Sequence, residues 1–310
     1  MAAPQTHEVI MIGSGPSALT AAVYTTREDI PTTLYEKAAV GGMAATTDRI
    51  DNYPGFPDGI AGLELASQLQ AQAKRFGAQL AFGEVTKIHA ADGGVELTID
   101  GKQHLAKAVL IATGSQYRKL GVPGEDEFFG RGVHYCATCD GAFYRDKRLA
   151  VVGGGNSAVQ EALFLTRFAS HIDLLVRSTL KASEVLQKEL HRQVAAGTIT
   201  VHQGVAVDHI IAQDGAVQGV ATKQDGADRN FMVDGVFVFI GLKPNTGFLA
   251  GSGVELDTHG SVITDERMHT NIPGVFASGD VRSGATMQIA AAVGDGAVAA
   301  LSIREYLRRA

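Results

Sequence analysis

The sequence lacks a surplus of basic residues and any long apolar run. Its 310 residues include 27 Lys and Arg against 33 Asp and Glu, giving a formal net charge of −6. This balance argues against a nucleic-acid partner. No apolar run approaches the roughly 18 to 20 residues that a membrane helix requires. The first residues, MAAPQTHEVIMIGSG, have no basic lead-in and do not resemble a signal peptide. We therefore expect a cytoplasmic protein with no membrane partner.

Cysteine is almost absent, and the two that occur, Cys136 and Cys139, lie together in CATCDG. Cytoplasmic thiols are kept reduced, so such a close pair is more typical of redox catalysis or metal binding than of a structural disulfide. A closed zinc site needs four ligands, and the nearby His134 has no partner at zinc-like spacing. Redox chemistry is thus the favoured interpretation, no metal is expected, and two inert buried thiols are the alternative.

The chain begins with an apolar strand, a glycine-rich turn and a helical pattern, in EVIMIGSGPSALTAAVYTTRE. Gly13, Gly15 and Ala18 form G-x-G-x-x-A, and the next strand ends in Glu36, 36 − 13 = 23 residues after the first glycine. Glycine lets a pyrophosphate approach the backbone at the positive end of a helix, and an acid at this spacing accepts hydrogen bonds from a ribose. The pattern predicts a dinucleotide site.

The same pattern recurs in RLAVVGGGNSAVQEALFLTRFA, with Gly153, Gly155 and Ala158 followed by the strand IDLLV. One glycine turn alone is compatible with a simple tight connection. Two such turns, 153 − 13 = 140 residues apart, predict two dinucleotide-binding units in one α/β chain. This organisation suits an enzyme that passes electrons between two nucleotide cofactors.

Taken together, these motifs resemble those of the low-molecular-weight thioredoxin reductases. In chain order they are GSGPSA at 13–18, GG at 41–42, NYPGF at 52–56, ATG at 112–114, CATCDG at 136–141, GGGNSA at 153–158 and GVFASGD at 274–280. The resemblance implies two Rossmann-like domains, the second inserted into the first. Residues 1–115 and 247–310 would bind FAD, and residues 116–246 would bind the second nucleotide and carry the cysteines. A homodimer that reduces thioredoxin is also implied.

The resemblance also assigns residues to FAD. Asn52 would lie near the flavin and Asp280 would bond the ribityl-phosphate arm, although Asp280 as a turn cap is the alternative from the residues alone. In the last helical segment we expect Gly294 and Gly296 to allow close approach to a ligand or to another backbone. The predicted FAD residues are Gly13, Gly15, Pro16, Ser17, Ala18, Glu36, Gly42, Asn52, Thr113, Gly114, Gly279, Asp280, Gln288, Ile289 and Ala290.

The cysteine pair suits thiolate chemistry, because a position at the start of a helix favours the thiolate over the thiol. Two intervening residues let one sulfur attack a disulfide while the other resolves the mixed disulfide. By the resemblance, Cys139 faces the flavin, Cys136 attacks thioredoxin and Asp140 is the acid and base. Asp140 as a helix N-cap is the alternative.

Two segments depart from the family pattern. NADPH-dependent members follow the second turn with HRRxxxR, whereas this chain has LVRSTLK, so Val176 stands where the first unit has Glu36. Met287 replaces the usual Arg before Gln288. NADPH, NADH, and a ferredoxin or second-flavin donor therefore stay open, and a dithiol oxidase is a third hypothesis. The predicted residues for the second nucleotide are Gly153, Gly155, Asn156, Ser157, Ala158, Arg177 and Lys181.

Overall fold

A computed structural model describes residues 4–47, 49–224 and 227–309. Its α-helices are α1 (Pro16–Thr26), α2 (Gly62–Arg75), α3 (Ala137–Asp140), α4 (Asn156–Leu165), α5 (Glu184–Ala195) and α6 (Ile289–Leu307). Its strands are β1 (Gln5–Ile12), β2 (Thr32–Glu36), β3 (Gln79–Phe82), β4 (Val85–Ala91), β5 (Gly94–Ile99), β6 (Lys102–Ile111), β7 (Ser115–Tyr117), β8 (Val133–His134), β9 (Arg148–Val152), β10 (His171–Val176), β11 (Ile199–Gln203), β12 (Val205–Gln213), β13 (Ala216–Gln224), β14 (Ala227–Met232), β15 (Gly235–Val238), β16 (Leu242–Pro244) and β17 (Val275–Ala277). Short 3-10 helices span Gly42–Thr46, Gly141–Tyr144, Gly247–Leu249 and Gly279–Val281.

The chain folds into two compact units. Unit 1 comprises the residues up to 116 and those from 243 onward, and unit 2 comprises residues 117–242. The first crossing thus lies one residue after the predicted boundary and the second lies four residues before it. Strands β7 and β16, which contain the crossings, pair with each other. None of the helices in the described ranges combines the length and apolarity needed to span a bilayer.

Unit 1 is built on a seven-stranded sheet in the order β3-β2-β1-β6-β5-β4. Strands β3, β2, β1 and β6 run parallel, β5 and β4 are antiparallel to their neighbours, and β17 pairs in parallel with Val109–Ile111 of β6. Val9, Ile10 and Met11 of β1 are fully buried, as is typical of a parallel strand covered on both faces. The strand order reverses beside β1, and doubly wound sheets bind ligands at such a reversal.

Helix α6 packs against α1 at a glycine. A Cβ at Gly296 would lie 2.2 Å from the carbonyl oxygen of Ser17, whereas a Cβ at Gly294 would meet nothing within 4 Å. The close approach to another backbone is therefore found at Gly296.

We expect Gly296→Ala to lower the free energy of unfolding by about 2 kcal/mol, because the added methyl group overpacks the contact and displaces the backbone of α1. Urea unfolding measures the change.

Gly294→Ala is the matched control for this packing, since it adds the same methyl group to the same helix. At an open helical position the substitution should raise stability by up to about 1 kcal/mol, because alanine has the higher helix propensity. Equal effects of the two substitutions would contradict the proposed contact between α6 and α1.

Unit 2 repeats the parallel arrangement with five strands in the order β11-β10-β9-β15-β8. One face packs against α4 and α5, and the other packs against an antiparallel sheet of β12, β13 and β14. Leu149 and Phe237 on the helical face are fully buried. The strand order reverses between β9 and β15, so the glycine turn after β9 also lies at a ligand-binding position.

Candidate active site

The first glycine turn is tight on one side and open on the other. Gly13 has a φ of +102°, and a Cβ there would lie 2.6 Å from the carbonyl oxygen of Ala112. A Cβ at Gly15 would meet nothing within 4 Å. Pro16 opens α1, where its missing N–H costs no helical hydrogen bond. This shape lets a diphosphate reach the backbone at the start of α1.

Glu36 is held firmly at the end of β2. Its Oε2 accepts hydrogen bonds from Ser14 N at 3.0 Å and Ser14 Oγ at 2.8 Å, and its Oε1 accepts one from Ala38 N at 2.9 Å. Each carboxylate oxygen has two lone pairs, so Glu36 can still accept bonds from a hydroxyl. Ser14 occupies a variable position of G-x-G, and the motif gave no signal for its role.

Asp280 is a half-buried carboxylate with no side-chain hydrogen bond or ion pair to the part of the chain that the structure describes. Burial, and then the nearby Asp295, raises its pKa to about 6. Gly279 N and Arg282 Nε donate to Asp295 instead. An unpaired, partly desolvated carboxylate beside the sheet edge is costly unless a ligand donates to it. Asp280 therefore fits the hydroxyl-bearing arm of FAD.

Two side-chain hydrogen bonds join predicted FAD residues to segments that are distant in the sequence. Ser17 Oγ lies 2.6 Å from Ser278 Oγ. Asn52 Nδ2 donates to Gln288 Oε1 at 3.1 Å, and Gln288 is the N-cap residue of α6. The Gln288 side chain makes no capping bond, so the first N–H groups of α6, which include those of Ile289 and Ala290, are available to an anion.

The segment after β6 is clamped by Asn245. Thr113 Oγ1 donates to the carbonyl oxygen of Asn245 at 2.8 Å, and Asn245 Nδ2 donates to the carbonyl oxygen of Thr113 at 2.8 Å. Asn245 N also donates to the carbonyl oxygen of Gly114 at 3.0 Å. Asn245 thus holds two predicted FAD residues, Thr113 through its side chain and Gly114 through its backbone N–H. Gly42 lies close by the first turn, with its Cβ position 3.5 Å from the Cα of Gly15.

The second glycine turn has the same shape with a different residue beside it. Gly153 has a φ of +147°, a Cβ there would lie 2.7 Å from the Cβ of Ala158, and a Cβ at Gly155 would meet nothing within 4 Å. Val176, at the end of β10, is 2% exposed and packs on Gly154, whose Cβ position lies 2.6 Å from Val176 Cγ1. An apolar group therefore occupies the place of a ribose-binding acid.

Exposed polar residues surround this second turn. The side chains of Arg177 and Lys181 make no hydrogen bond or ion pair within residues 4–47, 49–224 and 227–309. Lys181 N donates to the carbonyl oxygen of Gly154 at 2.7 Å, which holds the segment next to the turn. Asn156 and Ser157 are exposed in the first turn of α4. Two unpaired cations near an open glycine turn fit a phosphate group.

Cys136 and Cys139 form a disulfide in unit 2. Cys136 is the N-cap residue of α3, and its Sγ accepts a hydrogen bond from Cys139 N at 3.2 Å. The sulfur of Cys136 thus lies against a backbone donor at the start of α3. The described residues contain no group of three or more His, Cys, Asp or Glu side chains arranged to hold a metal ion.

The Asp140 side chain faces a histidine and makes no capping hydrogen bond. Its Oδ2 lies 3.2 Å from Nδ1 of His134, whose Nε2 lies 2.7 Å from the hydroxyl oxygen of Tyr144. Asp140 precedes the 3-10 helix Gly141–Tyr144 but makes no side-chain bond to it. Asp140 therefore has the position of the N-cap alternative but not its side-chain hydrogen bond.

Comparisons with known proteins agree with this organisation. The family model for pyridine nucleotide-disulphide oxidoreductases matches residues 7–296. A thioredoxin reductase of Listeria monocytogenes is 40% identical over 304 residues, which cover 97% of this chain and 94% of that protein. One of Bacillus subtilis is 39% identical over 310 residues, which cover 99% of this chain and 96% of that protein.

The fold agrees equally well. The crystal structure of a thioredoxin reductase from Streptococcus pyogenes matches with a TM-score of 0.92 at 39% identity, covering 99% of this chain and 100% of that one. The predicted α/β fold with two Rossmann-like domains and the predicted family are confirmed. The chain belongs to the pyridine nucleotide-disulphide oxidoreductase family.

Proposed function

We propose that the protein is an FAD-dependent reductase that takes electrons from a nicotinamide dinucleotide and passes them through Cys136 and Cys139 to the disulfide of thioredoxin. The observation that most directly supports this proposal is the disulfide of the CATCDG segment in a chain with two open glycine turns. The relatives named thioredoxin reductase support the choice of partner. Reduction of oxidised thioredoxin by the purified flavoprotein with NADPH or NADH tests it, and absence of turnover with either nucleotide would contradict it.

The FAD site is assigned to unit 1. Bound there, FAD accepts hydride from a nicotinamide and reduces a disulfide by two electrons. Gly15 and the start of α1 bind the diphosphate, Glu36 accepts hydrogen bonds from the ribose, and Asp280 accepts them from the ribityl arm. The N–H groups at the start of α6 stabilise negative charge on a ligand.

The chemistry at the disulfide site is a pair of thiol–disulfide exchanges. The Cys136 thiolate attacks one sulfur of thioredoxin, and the other thioredoxin sulfur leaves and takes a proton from Asp140. Cys139 then gives its proton to the Asp140 carboxylate and attacks Cys136 Sγ. The enzyme disulfide re-forms, and the second thioredoxin sulfur leaves as a thiolate that takes up the proton.

Asp280→Asn should stabilise the flavin-free protein at pH 7. Because the folded pKa of Asp280 is about 6 against an ordinary 3.8, the folded chain keeps this proton to higher pH than the unfolded chain does. Stability therefore falls as pH rises from about 4 to about 6 and stays lower above that range. A shift of about two pH units corresponds to on the order of 3 kcal/mol. Urea unfolding between pH 4 and pH 8 measures it.

The same substitution should weaken FAD binding by about tenfold or more, because an amide is a poorer acceptor than a carboxylate for a ligand hydroxyl. Titration of the flavin-free protein with FAD gives the dissociation constant. An unchanged unfolding midpoint together with unchanged FAD affinity would contradict both the burial and the assigned role of Asp280.

The remaining assignments are proposals of the same kind. We place the protein in the cytoplasm, where reduced thiol pools match a dithiol enzyme, and expect a homodimer, which light scattering tests. Ferredoxin is the less favoured donor, because Gly155 leaves the second turn open as a nucleotide site requires. A dithiol oxidase is disfavoured by the thioredoxin reductase relatives.

A further inference from the structure

A chain of contacts between three side chains, Asp140, His134 and Tyr144, runs from the disulfide segment into the core of unit 2. His134, on β8, is 4% exposed. Its Nδ1 lies 3.2 Å from Asp140 Oδ2 and its Nε2 lies 2.7 Å from the hydroxyl oxygen of Tyr144. The imidazole ring stacks on Phe237, with ring centroids 5.1 Å apart and planes inclined by 27°. Both nitrogens of a buried histidine are thus engaged, one of them by the predicted acid and base.

Tyr144 contacts Nε2 of His134, the ring nitrogen that Asp140 does not contact. Burial, and then the negative charges of Asp140 and Asp234, raises the pKa of Tyr144, so the hydroxyl stays protonated. In the tautomer whose Nε2 accepts a hydrogen bond from this hydroxyl, Nδ1 carries the N–H that faces the carboxylate. A Cβ at Gly235 would lie 2.4 Å from Tyr144 Cε1, so glycine at this point of β15 is what allows the tyrosine ring to pack here.

The surroundings of this chain add few other charges. From the elements packed against it, β15 contributes the aromatic ring of Phe237 and the backbone of Gly235, and the turn before β15 contributes Asp234. Asp234 is itself paired, since it lies 3.6 Å from Lys147 Nζ and accepts a hydrogen bond from a backbone N–H. Helix α4 also packs against α3 and carries Glu161, whose pKa is raised by burial.

We propose that His134 is a positioning residue for the dithiol chemistry, which holds Asp140 through its Nδ1–H as an oriented carboxylate while Tyr144 holds His134. This inference rests on the proposed reductase function and adds two residues that the CATCDG motif does not contain. The proton that Cys139 gives up goes to the Asp140 carboxylate. His134 keeps its own proton throughout, so no further proton or electron is required.

Removal of the His134 donor should change the pH dependence of the disulfide-forming step in a predictable direction. A carboxylate that loses a neighbouring donor is less stabilised as an anion and less well oriented, so it accepts the Cys139 proton less effectively at low pH. The donor is lost in His134→Leu. We expect the acid limb of the disulfide-forming step to move upward by about one pH unit, which corresponds to one charge-assisted hydrogen bond. His134→Gln keeps an N–H and should restore part of the shift.

The experiment uses fully reduced holoenzyme mixed with excess dithiobis(nitrobenzoate), a small aromatic disulfide, in a stopped-flow instrument between pH 5 and pH 9. The first two nitrothiobenzoate anions report attack by Cys136 and then resolution by Cys139. Because this leaving group departs as an anion, the second phase isolates removal of the Cys139 proton. The variant Asp140→Asn gives the dependence of the second-phase rate on pH for a site without a base. The variant Tyr144→Phe should change this dependence partway from that of wild type to that of Asp140→Asn.

Tyr135→Phe is the matched control. It also removes the hydroxyl of a buried tyrosine, which here donates to Glu125, and no hydrogen bond or ion pair among the described residues joins this pair to Asp140. The control should retain the wild-type profile. If His134→Leu and Tyr144→Phe lower only the unfolding midpoint and leave the second-phase profile unchanged, the positioning role is overturned. If wild type reacts with the small disulfide but not with thioredoxin, the proposed function fails and the test of His134 stands.

Discussion

Cys136→Ser and Cys139→Ser are each expected to lower turnover with thioredoxin by at least about 1000-fold, because attack and resolution both require a sulfur. The chain contains no other cysteine, so no third thiol can take over either step. Serine is nearly isosteric, and both positions lie at the start of a short helix, so the fold of unit 2 should be kept. Steady-state reduction of thioredoxin measures the loss.

The two variants should differ in what they trap. Cys139→Ser keeps the attacking sulfur and should accumulate a mixed disulfide between Cys136 and thioredoxin, visible by mass spectrometry under non-reducing conditions. Cys136→Ser should accumulate none. Both variants should still show bleaching of the flavin by a nicotinamide nucleotide, which serves as the control for an intact flavoprotein. A mixed disulfide formed by Cys136→Ser in place of Cys139→Ser would reverse the assigned roles.

The parts of the site that the sequence predicted are those that local chain geometry determines. Gly13 and Gly153 adopt positive φ values and lie against neighbouring atoms, so neither position accepts a side chain. The requirement for glycine can therefore be recognised from the sequence alone. Glu36 is equally local, because the end of β2 in a parallel sheet lies beside the end of β1. These features need no knowledge of tertiary contacts.

The parts that were not predicted depend on contacts between distant segments. Asn245 holds Thr113 across 132 positions of sequence, and no sequence motif joins the two residues. The contact of Asp140 with His134 is shorter in range, yet the sequence offered His134 only as a zinc-ligand candidate, which was rejected because it has no partner at zinc-like spacing. Because His134 has no further metal ligands, its position six residues before Asp140 was the signal that could have indicated a contact with that acid. Tyr144 gave no signal, because its packing depends on Gly235 of another strand.

NADPH is expected to reduce the flavin faster than NADH, and the preference should depend on Arg177 and Lys181. Val176 is buried on Gly154 and offers nothing to a 2′-phosphate or to a ribose diol, whereas the two exposed cations have no partner among the described residues. Each charge-assisted contact contributes about 1.5 kcal/mol, so the double variant Arg177→Ser/Lys181→Ser should lose on the order of 100-fold in second-order rate with NADPH. The rate with NADH should stay unchanged.

The measurement is anaerobic stopped-flow bleaching of the oxidised flavoprotein by each nucleotide. Lys188→Ser, in which an exposed cation of α5 is removed, is the matched control and should leave both rates unaltered. Equal loss with NADPH and NADH in the double variant would mean that the two cations contact the shared diphosphate and not the 2′-phosphate. No bleaching by either nucleotide, in protein that dithionite reduces and that then reduces thioredoxin, would require a different electron donor. With a different electron donor, the open glycine turn of unit 2 would have no nucleotide to bind. Fast bleaching of the flavin by NADPH is therefore the expected result.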